Sequence, residues 1–124
     1  MDVKSIGIVF LGGGLGSVLR FLLSKSLNPV FSNAIAGTLT VNVVGSLLIG
    51  LLIGFEIKNI LEKPLMLLLV TGFCGGFTTF SAFALENYNL IKSGDYLQAI
   101  FYTLASIFLG LLSVGLGFLI AKQF

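Results

Sequence analysis

The chain has 124 residues, 56% hydrophobic and 10% charged, with a formal net charge of +2 and a mean hydropathy of +1.09. Soluble domains carry about 25% charged residues, so these side chains cannot cover a water-facing surface, and the composition is that of a membrane protein. The 7 Lys and Arg form no cluster, which excludes a nucleic-acid reader with a basic face.

Two further classes fall on composition. There is no His, so a His-based metal site or a His general base is excluded. The single cysteine, Cys74, cannot close an intrachain disulfide and reads as a small packing residue. The length suits one domain, residues 1–124. It is short for a channel or transporter, which points to an oligomer as the working unit.

The first apolar segment runs over residues 5–23. About 20 residues cross a hydrocarbon core of about 30 Å, so this is a first span. It is not read as a cleaved leader, because Arg20 and Lys25 follow it and Ala34-Ile35-Ala36 lies too far downstream. Its Gly12-Gly13-Gly14-Leu15-Gly16-Ser17 lacks the last glycine of a dinucleotide loop and any Walker lysine. Gly12 and Gly16 instead form G-x-x-x-G, which lets helix backbones approach closely. Arg20 has two readings: a side chain reaching the interface, or a fixed positive charge for an anion at a pore mouth.

Ser26 to Asn33, with Pro29, reads as a turn-rich connection. The second span covers residues 34–55, where Thr38, Asn42 and Ser46 recur every four residues and share one face. Gly50 and Gly54 continue that row. An asparagine at membrane depth is costly without a partner, so Asn42 is either interhelical glue or faces a permeating ion.

The third span, residues 64–91, opens with Pro64, a good first-turn residue. Inside it lies Gly72-Phe73-Cys74-Gly75-Gly76-Phe77-Thr78-Thr79-Phe80-Ser81-Ala82-Phe83. Glycines followed by two β-branched threonines make a poor helical run. In a bilayer, backbone freed from a helix persists only where protein buries it or it lines a wet cavity. The stretch therefore reads as a break between two half-helices. Phe80 and Phe83 are three apart and share a face, either for packing or to turn their positive ring edges to an anion. Glu86 reads as a solvated or backbone-capping carboxylate near the far interface.

A turn around Gly94-Asp95 leads to the fourth span, residues 97–121, where Tyr102, Ser106, Gly110, Ser113 and Gly117 form one small or polar stripe. The stripe suits tight packing or a line of hydroxyls. The reading is an all-α integral membrane protein with four transmembrane helices, the third broken. One side carries Lys4, Lys58, Lys63 and Lys122, the other Lys25, Lys92 and Arg20. That bias is slight, and orientation follows such bias, so insertion in both orientations and an antiparallel dimer are open to this chain.

No catalytic arrangement is present, and the chain is read as no enzyme. What lies at membrane depth is a set of neutral donors: Asn42, Thr78, Thr79, Ser81, Tyr102 and Ser106. Donors without a buried carboxylate favour an anion or neutral solute, whereas carbonyls exposed from Gly75 to Thr78 are acceptors able to hold one metal cation.

Three stretches together resemble the CrcB/Fluc family of fluoride channels. They are Gly12/Gly13 to Phe21 with Arg20, Gly37-Thr38-Leu39-Thr40-Val41-Asn42-Val43-Val44-Gly45-Ser46, and Gly72 to Phe83. The resemblance covers nearly the whole chain, and its most specific part is Thr78-Thr79-Phe80-Ser81. It implies an antiparallel, dual-topology homodimer in the plasma (inner) membrane of a prokaryote, letting fluoride leave the cytoplasm passively and conferring fluoride resistance. Phe80 and Phe83 match the pore phenylalanines and Asn42 the pore asparagine. Thr79, Ser81, Tyr102 and Ser106 match the polar residues of the path. A structural Na+ at the dimer interface is implied at backbone carbonyls matching Gly75 and Thr78, and Arg20 matches the first-helix arginine. Ala82 and Gly110 stand where hydroxyl residues are common or expected, which thins that lining.

Two rivals come from other classes. A small dual-topology multidrug exporter fits the size and span count, but proton coupling wants a carboxylate in the first helix. A non-transporting assembly subunit would use the glycines and hydroxyls as glue alone.

Overall fold

The computed structural model describes residues 2–31 and 33–124. Every regular element among them is helical: α1 is Val3–Phe31, α2 is Ile35–Ile57, α3 covers residues 63–77, α4 is Phe80–Lys92 and α5 is Tyr96–Ala121. Among the described residues, four stretches are long and apolar enough to cross a membrane: Val3–Phe31, Ile35–Ile57, Lys63–Lys92 and Tyr96–Ala121. The third contains both α3 and α4, so the expected broken helix is present.

α1 is longer than the apolar segment that defines it. Its 29 residues extend about 44 Å at 1.5 Å per residue, beyond a core of about 30 Å. The expected connection from Ser26 onward is helical to Phe31, and Ser32 within it lies outside the described residues. Pro29 falls in the last turn, where it forgoes the bond to the Lys25 carbonyl and crowds that oxygen, and the helix stops two residues later. Asn28 and Asn33 then start α2: the Asn28 Oδ1 accepts the Gly37 N–H at 2.9 Å, and the Asn33 Oδ1 accepts that of Ala36 at 3.0 Å.

Two close pairings organise the bundle: α1 against α3, and α2 against α5. Both rest on the absence of side chains. A Cβ on Gly12 would lie 2.2 Å from the Leu68 carbonyl oxygen, and one on Gly16 2.2 Å from that of Phe73. Across the bundle, a Cβ on Gly117 would lie 2.2 Å from the Leu47 carbonyl oxygen. Larger residues at these points would force the helices apart. The G-x-x-x-G of α1 and the lower part of the α5 stripe are therefore packing surfaces.

α3 carries a feature that its sequence does not announce. Between α-helical Lys63–Met66 and Gly75–Phe77, the stretch Leu67–Cys74 is π-helical. Val41, Cys74 and Phe77, at 0%, 2% and 1% exposure, are the largest fully buried side chains among the described residues, and Phe77 directly precedes the break. The Lys58 Nζ donates to the Ala121 and Lys122 carbonyls at 3.0 Å each, closing the end of α5. Outward, Phe10, Leu11, Val18 and Phe21 on α1 and Phe101, Leu104, Phe108 and Leu111 on α5 are exposed. Such faces suit lipid.

Candidate functional site

The helix breaks at two residues. Thr78 (φ −84°, ψ 159°) and Thr79 (φ −151°, ψ 121°) are extended between α3 and α4. A helix end leaves its last carbonyls and first N–H groups without intrahelical partners, and at membrane depth each must be satisfied by something else. Neighbouring helices supply most of these partners.

From α2 comes Asn42. Its Oδ1 accepts the Thr79 N–H at 2.8 Å and its Nδ2 donates to the Thr79 carbonyl at 3.0 Å. One side-chain amide thus replaces both backbone bonds of the most extended residue. Of the two roles left open for Asn42, the geometry shows the interhelical bond, and it leaves the amide one N–H to spare. From α1, the Arg20 Nε donates to the Gly76 carbonyl at 3.0 Å, with the Ser17 Oγ on the same oxygen at 3.4 Å. Thr79 caps α4 itself, its Oγ1 accepting the Ala82 N–H at 3.2 Å. Thr78 turns its hydroxyl back to the Cys74 carbonyl at 2.8 Å. Among the described residues, the Gly75 and Thr78 carbonyls accept no hydrogen bond.

A groove of about 520 Å³ opens beside the break. Asn42, Ser46, Thr71, Gly75, Thr78, Thr79, Phe80, Phe83, Ser106 and Gly110 line it, together with apolar residues, and no charged side chain among the described residues does. Phe80 is 79% exposed. Its ring lies 5.7 Å from that of Phe83, which lies 5.1 Å from that of Tyr102. The Ser106 Oγ is buried with no partner among the described residues. Burying a hydroxyl that bonds to nothing is unfavourable, so this group keeps its donor and acceptor capacity to spare.

The expected site residues therefore divide by position. Asn42, Gly75, Thr78, Thr79, Phe80, Phe83 and Ser106 share the groove. Tyr102 stands behind Phe83, and Ser81 is exposed with its Oγ 3.3 Å from the Thr79 Oγ1. Arg20 meets the break from the α1 side and does not line the groove.

Glu86 is the residue that the sequence reading placed differently. It is no capping carboxylate: the Thr38 Oγ1 donates to its Oε1 at 2.5 Å and the Tyr102 hydroxyl to its Oε2 at 2.6 Å. Thr38 and Tyr102 are only 4% and 5% exposed, so this half-buried carboxylate ties α2, α4 and α5 together through two buried hydroxyls. It also borders a second cavity of about 410 Å³, lined by polar Asn33, Asn89, Ser93 and Gln98. The signal available in sequence was the face of Thr38 and Tyr102, both at the head of their polar rows.

Compared with known proteins, the chain matches the family described as "CrcB-like protein, Camphor Resistance (CrcB)" over residues 7–118. A protein of Gloeothece citriformis named fluoride-specific ion channel FluC is 47% identical over 117 residues, covering 94% of this chain and 95% of that protein. Proteins of the same name from Flavobacterium psychrophilum and Pyrococcus furiosus are 44% and 40% identical. They cover 98% and 99% of this chain, and 99% and 100% of their own lengths.

Proposed function

The chain belongs to the CrcB family, which it matches over residues 7–118, and from that premise we propose that it is a fluoride-selective channel of the plasma membrane. It lets fluoride leave the cytoplasm passively and so protects the cell from the ion. The observation that carries this reading is the uncharged groove, lined by Phe80, Phe83 and Ser106, whose hydroxyl has no partner among the described residues.

Fluoride is small and strongly hydrated, so a path for it must replace water with donors. Ser106, the spare Asn42 N–H and whichever of the mutually bonded Thr79 and Ser81 hydroxyls keeps a free proton are such donors. The edges of Phe80 and Phe83 carry the positive part of the ring quadrupole, which accepts an anion without a fixed cation to trap it. Conduction requires binding weak enough to release, and an uncharged lining meets that need. The exporter alternative lacks its central residue: α1 contains no Asp or Glu, and both oxygens of Glu86 are taken up by hydroxyls.

Two finer points belong to the same proposal. The working unit is an antiparallel homodimer, supported by the open groove with Phe80 exposed beside it and by the even balance of Lys and Arg between the two sides. A Na+ sits at the dimer interface. The residues fit it, since the Gly75 and Thr78 carbonyls accept no hydrogen bond among the described residues and are hard oxygen donors. When bound it would neutralise those carbonyls and hold the break in place.

Expression in a bacterium lacking fluoride export tests the reading. Growth in fluoride-supplemented medium is expected with the wild-type chain and not with Phe80→Ile. A wild-type chain that reaches the membrane and gives no protection would refute it.

A further inference from the structure

Among the described residues, Arg20 is the one cation with a side-chain hydrogen bond to the broken helix, and the bond comes from a particular atom. Its Nε–H donates to the Gly76 carbonyl at 3.0 Å, across 56 residues of sequence. Gly76 lies in the last turn of α3, and its helical partner would be Phe80. That residue stands beyond the extended Thr78 and Thr79, so the carbonyl has lost its own donor.

The surroundings are tight. A Cβ on Gly76 would lie 2.3 Å from the Gly13 carbonyl oxygen, and one on Gly16 2.8 Å from the Phe77 N. Backbone meets backbone here, and Ser17 and Arg20, one turn apart on α1, both point at the same oxygen. That oxygen belongs to the negative end of the α3 dipole, where a donor with positive charge is favourable. Among the described residues, no other hydrogen bond of the Arg20 side chain to the chain is present, and Arg20 lines neither cavity. Asn42 holds the opposite flank of the same link from α2.

We infer that Arg20 is a positioning residue for conduction: its Nε–H, seated on the Gly76 carbonyl, fixes the end of α3 and so places the groove-lining Gly75, Thr78 and Thr79. Its part is that of a directed donor, not of a charge displayed to the anion. The inference rests on the channel reading above.

Glutamine and lysine separate the two roles. The Nε2 of glutamine stands the same number of bonds from Cα as the arginine Nε, so Arg20→Gln keeps the donor and removes the charge. Arg20→Lys keeps the charge and places a methylene where the donor was. Fluoride and chloride efflux are measured from liposomes carrying wild type, Arg20→Gln, Arg20→Lys and Arg20→Leu, with thermal unfolding of each protein in detergent.

We expect Arg20→Gln to stay within about threefold of the wild-type fluoride rate with its chloride exclusion intact. Arg20→Lys and Arg20→Leu should each fall by about tenfold or more. Full activity in Arg20→Lys with collapse in Arg20→Gln would overturn the inference, and so would equal activity in all variants. A second measurement compares wild type with Arg20→Gln. A displayed charge is screened within about 10 Å at 0.1 M salt, so the two should respond alike to added inert salt, and a steep fall in wild type alone would equally refute the directed-donor role. Wild-type vesicles that release no fluoride would instead sink the channel reading.

Discussion

Asn42→Ala removes the clamp on the break and yields a number that can be checked. The substitution deletes two hydrogen bonds, of 2.8 and 3.0 Å, and leaves the Thr79 N–H and carbonyl without their partner. A polar group left unsatisfied in a buried place costs about 1–3 kcal/mol. Interhelical side-chain bonds in membranes average about 0.6 kcal/mol by double-mutant cycles and reach about 1.7. The groove is open beside Thr79, so water relieves part of the cost, and the expected loss is about 2 kcal/mol. Reversible unfolding in detergent, followed by helical circular dichroism against denaturant, measures it. Efflux should fall as well, because Thr79 and the first turn of α4 lose their register. A variant within about 0.5 kcal/mol of wild type that no longer conducts would refute the reasoning, since Asn42 would then act on the ion alone.

Ser106→Ala gives the opposite pattern. Its Oγ has no partner among the described residues, so removal should leave stability unchanged or raised, while fluoride efflux falls by about tenfold, equivalent to about 1.4 kcal/mol. Tyr102→Phe takes one of two hydroxyls from Glu86; bonds to charged groups contribute about 1.5–3 kcal/mol, and a loss of about 2 kcal/mol in the same denaturation assay is expected. Gly16→Leu drives a side chain into the Phe73 carbonyl, where even a Cβ would lie 2.2 Å away. Overpacking costs about 1–3 kcal/mol or more, and the variant should be lost from the folded fraction in size-exclusion chromatography.

How far the sequence carries can be read from single residues. The four spans follow from apolar length, and the break from glycines followed by Thr78 and Thr79. The row Thr38, Asn42 and Ser46 was visible as one face because helical spacing fixes it, and that face does meet the third span. The partners were not visible. Arg20 finds Gly76 and Thr38 finds Glu86 across 56 and 48 residues, and single-sequence periodicity says nothing about which helices touch. Glu86 resembled an interfacial carboxylate because its neighbours in sequence are polar, whereas its neighbours in space are two buried hydroxyls. The π-helical Leu67–Cys74 is a change of backbone register, and no side-chain pattern reports that. α1 runs on through Pro29 to Phe31, although proline gives up the bond to the residue four back, and a breaker rule places the helix end earlier.

The measurement that bears most directly on the channel reading is halide release from liposomes carrying the purified protein, with fluoride and chloride followed by separate ion-selective electrodes. The account predicts rapid fluoride release, negligible chloride release, and loss of the fluoride signal with Phe80→Ile in a protein that still folds. Absence of fluoride release from well-folded protein, or equal release of both halides, would contradict it.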